Sequence, residues 1–90
     1  MPLQTKQVTV GMVAVQVLDQ HSSPQHVILH NAQKSSNEFI WFGGNSAVTT
    51  STGAHLDNSE TYNLILFPTN ELWAIRNSGT AVLHVLWQEL

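Results

Sequence analysis

The residues equipped for chemistry in this chain of 90 are five histidines, six carboxylates and many serines and threonines, with no cysteine among them. The histidines are His21, His26, His30, His55 and His84. His26 and His30 share one face of a strand, yet four residues at about 3.3 Å each put them roughly 13 Å apart. Two ligands of one zinc ion cannot be so distant. No His-x-His pair and no nearby carboxylate completes a set, so neither a metal nor any other cofactor is expected. A small metal enzyme on a β-barrel would require three of the histidines to converge in the fold. Serine catalysis fares no better, because no serine sits in a Gly-x-Ser-x-Gly elbow. Asp19, Glu38, Asp57, Glu60, Glu71 and Glu89 fall mostly in turns or at strand ends, the usual place of solvated acids rather than of a catalytic pair. Gly43-Gly44 precedes neither a lysine nor a helix start and cradles no phosphate. The chain reads as a binding protein and not as an enzyme.

Three tryptophans, Trp41, Trp73 and Trp87, are the remaining candidates. Large aromatics fill the cores of small domains, and they also form sugar-stacking platforms and interface hot spots. By alternation Trp73 lies with Ile75 and opposite Leu72 and Ala74, which reads as a buried position. Trp87 shares parity with Leu83 and Val85. Core packing is the expected role of these rings.

Charge excludes another class of partner. Three basic and six acidic residues leave a net charge of −3, and only 10% of the chain is charged. Lys6, Lys34 and Arg76 cannot neutralise a run of phosphates, so direct nucleic-acid binding is not expected. A polar surface with few charges suits protein contacts, where each buried charge adds a desolvation cost. The N-terminal residues lack the apolar segment of a signal peptide, and no run is long enough for a membrane span. The chain reads as soluble, and the missing thiols fit a reducing cytoplasm.

Positioning these residues falls to elements of period two. Residues 7–18 are rich in valine and change parity at Gly11, which reads as two short strands meeting at a bulge or bend. Residues 26–31 alternate and, after a polar turn at 33–37, lead into an apolar run at 38–42; the spacing reads as a hairpin. Residues 46–53 form a short edge piece or an ordered loop. Residues 61–67, 71–76 and 80–87 are further strands, separated by Pro68-Thr69-Asn70 and Asn77-Ser78-Gly79. One domain over residues 1–90 is expected: an all-β, jelly-roll-like sandwich of six to eight short antiparallel strands.

One stretch carries a family likeness. The run Trp41-Phe42-Gly43-Gly44-Asn45-Ser46-Ala47-Val48-Thr49-Thr50-Ser51-Thr52-Gly53 is followed by Leu56 and Glu60. Then come Leu72-Trp73-Ala74-Ile75 and Ser78-Gly79-Thr80-Ala81-Val82. In this order they resemble a pattern of small tailed-phage virion proteins, over residues 26–87. Asp57-Asn58-Ser59 stands where that pattern has a turn containing proline or glycine, and Trp73 where tyrosine is more usual. Gly43, Gly44, Thr49, Thr50, Gly53 and Gly79 read as architecture, with Gly-Gly allowing a turn of positive φ and the threonines an edge strand. The resemblance implies a capsid decoration or cement protein, self-associating as a homotrimer and binding the major capsid protein or another virion protein. It would be assembled in the host cytoplasm and sit on the outer capsid surface. The alternative is a carbohydrate- or receptor-binding module of a fibre, tail or baseplate. Residues 1–7 read as an extended arm, which makes Pro2, Leu3, Gln4 and Thr5, together with Trp41, the expected interface residues.

Overall fold

Valine, leucine and isoleucine at alternate positions, broken by Gly, Pro, Asn and Ser, favour short half-buried strands. A computed structural model describes residues 3–32, 39–57 and 59–90, which contain eight strands and no helix. The strands are β1 (Gln4–Val10), β2 (Val15–Leu18), β3 (Gln25–Asn31), β4 (Ile40–Gly43), β5 (Ala54–Leu56), β6 (Thr61–Leu66), β7 (Leu72–Ile75) and β8 (Ala81–Glu89). They form two four-stranded sheets, β1-β8-β3-β6 and β2-β7-β4-β5. Pairing is nested: β4 with β5, β3 with β6, β2 with β7 and β1 with β8, all antiparallel. One long ribbon is thus wound into a jelly roll, and the β3·β8 and β4·β7 seams close each sheet.

The expected sandwich is therefore present, while several local readings change. The hairpin expected between residues 26–31 and 38–42 does not form, because β3 pairs with β6 and β8 whereas β4 pairs with β5 and β7. The parity change at Gly11 is a passage between sheets: β1 lies in one and β2 in the other. The turns at Pro68-Thr69-Asn70 and Asn77-Ser78-Gly79 also hand the chain across. Turn chemistry reverses direction without choosing a partner. Gln4 to Gln7, read as part of an extended arm, are paired with Trp87, Leu86, Val85 and His84 of β8. Leu3 is exposed ahead of them, and Met1 and Pro2 lie outside the described residues.

Between the sheets lies an almost wholly aliphatic layer. Val10, Val17, Val27, Leu29, Ile40, Ala74, Leu83 and Val85 are each at 0% exposure, and Phe42 is the single aromatic in the buried cluster. Its ring meets Tyr62 at 5.2 Å between centroids, across from one sheet to the other. Gln25 and Asn31 are buried polar residues. Asn31 donates from Nδ2 to the Leu56 carbonyl at 3.3 Å, which ties the end of β3 to β5 of the opposite sheet.

The Gly-Gly/Val-Thr-Thr/Gly motif has a packing explanation. Residues 44–53 form a loop, so Thr49 and Thr50 are not in an edge strand. Thr49 organises it: its Oγ1 accepts from the Ser51 and Thr52 amides, and its carbonyl accepts from the Gly53 amide at 2.9 Å. Val48 is thereby folded back against β4. A Cβ on Gly43 would stand 2.7 Å from Val48 Cγ2, and one on Gly53 would stand 3.0 Å from the same atom. The two glycines make a socket for one valine. Neither Gly43 nor Gly44 has positive φ; among the glycines only Gly79 does, at 60°. We expect Gly43→Ala to cost about 1–3 kcal/mol of stability by overpacking. The cost should shrink in a Val48→Ala background when both are measured by urea unfolding. An equal penalty in the two backgrounds would refute the socket.

Candidate functional site: the two outer sheet faces

With the interior filled by aliphatic side chains, the residues of chemical interest are displaced to the outside of each sheet. On the β2-β7-β4-β5 sheet, Trp41 occupies the centre, opposite His55 of β5 and Ile75 of β7. Phe39, just before β4, completes a cluster of three rings. Its centroid is 6.1 Å from Trp41 and 5.8 Å from His55, and Trp41 and His55 are 6.3 Å apart. His55 Nδ1 meets Asp57 Oδ1 at 2.7 Å, with both side chains about half exposed. One pleat along, Trp73 stands between Gln16 of β2 and Gly43 of β4. Its indole N–H donates to Glu71 Oε1 at 2.8 Å. Two half-buried indoles, a phenyl ring and an imidazole thus share one surface bounded by the Val48 loop.

This overturns the buried reading of Trp73. Alternation correctly grouped Trp73 with Ile75, but Leu72 and Ala74 are the inward pair, at 3% and 0% exposure. Trp87 does follow Leu83 and Val85 inward, at the rim of the sandwich, where Lys6 Nζ lies 5.5 Å from its ring centroid. Of the expected interface residues, Trp41 lies on the aromatic face, whereas Leu3, Gln4 and Thr5 lie at the far edge of the other sheet.

The β1-β8-β3-β6 sheet has an outer face of different character. Its outward rows run Gln7, His84, His30, Thr61 and then Thr5, Leu86, Ile28, Asn63, with His26 paired to Ile65 and Gln88 beyond. None of the outward positions on these four strands is Asp, Glu, Lys or Arg. Ile65 is 49% exposed, and Phe67 and Leu90 extend the apolar surface around an open groove of about 550 Å³ that reaches His26. His30 and His84 are direct cross-strand partners with ring centroids 6.3 Å apart. Among the described residues no three of His, Asp and Glu come together as a metal-binding group. The His30–His84 juxtaposition has no trace in the sequence spacing, because it depends on the β3·β8 register.

Orientation on the two faces has a measurable consequence. Leu72→Ala removes a buried side chain and should cost roughly 2–5 kcal/mol. Trp73→Ala removes a larger but outward ring and should cost less, in the same denaturant experiment. A larger loss at Trp73 would mean that its ring belongs to the core.

No protein-family model matches this chain, and no curated protein matches it. Among solved structures, a Yersinia pseudotuberculosis-derived mitogen is similar over 99% of this chain and 86% of that one, with 12% identity and a TM-score of 0.43. A likeness so distant assigns no role.

Proposed function

We propose that this protein is a non-catalytic binding module that works through its outer sheet faces, and specifically a virion decoration protein that stabilises an assembled capsid. The observation that carries the reading is the uncharged outer face of the β1-β8-β3-β6 sheet, where Ile28, Leu86 and Ile65 are interleaved with Thr, Gln, Asn and His. Such a surface can be covered by another protein without stripping water from a charge, and depletion of charged residues marks the centres of protein interfaces. The capsid as partner comes from the sequence resemblance over residues 26–87. In this role the protein self-associates as a trimer, seats on the outer capsid surface at junctions of the major capsid protein, and favours the assembled shell by binding it preferentially.

A second reading is favoured by a specific observation. Trp41 and Trp73 face outward, with Gln16 beside Trp73. Aromatic rings next to amide side chains suit a carbohydrate- or receptor-binding module on a fibre or tail.

Light scattering on a sizing column separates the first premise from the rest. A trimer has three times the 10.0 kDa chain mass, and a monomer at every concentration would remove free self-association. Co-sedimentation with capsids then tests the surface itself. Leu86→Glu should abolish binding by placing a charge in a dry contact, whereas Trp41→Ala should leave it intact. The reverse pattern, with Trp41→Ala also abolishing retention on a glycan array, would support the carbohydrate module instead.

A further inference from the structure

We propose that His30 and His84 form a two-imidazole site for an exchangeable divalent transition-metal ion on the outer face of the β1-β8-β3-β6 sheet. The site is argued for the free chain and does not rest on the capsid reading. His30 and His84 are Cα partners across the β3·β8 seam, so both side chains leave the same face from adjacent strands. Their rings stand edge to face, with centroids 6.3 Å apart and planes at 68°. With metal–nitrogen bonds of about 2.0–2.1 Å, one shared ion brings the two ligand nitrogens to about 3 Å. Side-chain rotation at His84 closes the remaining distance.

Thr61 supplies the support that a ligand histidine ordinarily has behind it. It is the partner of His30 on the opposite side, in β6, and its Oγ1 lies 2.9 Å from His30 Nδ1. In the tautomer in which Nδ1–H donates to that hydroxyl, Nε2 carries the lone pair. The hydrogen bond then fixes the plane of the ring, as outer-shell partners do at metal sites.

Ligand chemistry selects the ion. Imidazole suits Cu²⁺, Ni²⁺ and Zn²⁺, whereas Mg²⁺ and Ca²⁺ require oxygen ligands. No third His, Asp or Glu among the described residues joins the pair. Water therefore completes the coordination, and the ion remains exchangeable. His26 projects from the same face but lies roughly 13 Å along β3 from His30. It is a lone imidazole and serves as the internal control.

The test titrates the full chain with Zn²⁺ and with Cu²⁺ at neutral pH, by calorimetry and by thermal unfolding. We expect one ion per chain and reversal by a chelator. The unfolding midpoint should rise by about 5–10 °C when free metal is roughly tenfold above its dissociation constant. His30→Asn and His84→Asn should each weaken binding by about tenfold or more, Thr61→Val by roughly tenfold, and His26→Asn not at all. Metal-free unfolding of every variant identifies any loss that is merely a folding defect. The electron paramagnetic resonance spectrum of the Cu²⁺-loaded wild type gives a readout without any substitution, and it should show two nitrogen ligands. A single-nitrogen spectrum, or His84→Asn binding as tightly as the wild type, would overturn the site. Equal losses in all three histidine variants would overturn it as well.

Discussion

Strand β8 bears the central constraint of this fold. It is the last strand in the chain and an interior strand of its sheet, paired along one edge with β1 and along the other with β3. Its inward residues Ala81, Leu83 and Val85 are buried in the middle of the core. The β1-β8-β3-β6 sheet therefore cannot close until the C-terminal segment has returned between two strands from the first third of the sequence. Among the described strands, only β4 and β5 are paired with a neighbour in sequence. Every other pairing closes a long loop whose entropy must be met before contacts form. The driving force that offsets it is the burial of valine, leucine and isoleucine from both sheets. A topology so dominated by distant pairings places the protein among slowly folding domains.

An aliphatic interior has consequences for the surface. Two sheets packed face to face leave a layer about 10 Å thick, and branched aliphatic side chains fill it at native density. The indoles go elsewhere: Trp87 to the rim, Trp41 and Trp73 to the outside. The buried polar side chains take backbone acceptors for their N–H groups. The side chain of Gln25 donates to the Ser23 carbonyl, and that of Asn31 to Leu56 in the other sheet. The second of these bonds is a cross-sheet link, which helps to set how one sheet lies on the other.

The outer surfaces divide into two kinds of recognition chemistry. One is aromatic, with Phe39, Trp41 and His55 in mutual contact and Trp73 held by Glu71. The other is uncharged across four strands and joins apolar residues to histidines and amides. Both are built on strands, so their side chains are held by cross-strand neighbours and need little ordering when a partner arrives. Loop 44–53 borders the aromatic face and is itself tied down by Thr49 and the Val48 socket.

Alternation, turn residues and composition determined the all-β class, the approximate strand limits and the sandwich, because side-chain direction along a strand depends only on parity. They also set residues 46–53 apart as a short edge piece or an ordered loop and grouped Trp73 with Ile75. Parity does not say which of its two sets faces inward, and at Trp73 the more apolar-looking answer was the wrong one. Turn residues likewise announced a bend at Gly11 and turns at Pro68 and Gly79 but not whether the next strand paired or crossed. Those choices, and with them the meeting of His30 with His84 and of Trp41 with His55, belong to the tertiary structure alone. They follow from register between strands far apart in sequence, and register is decided by the packing of the whole aliphatic layer.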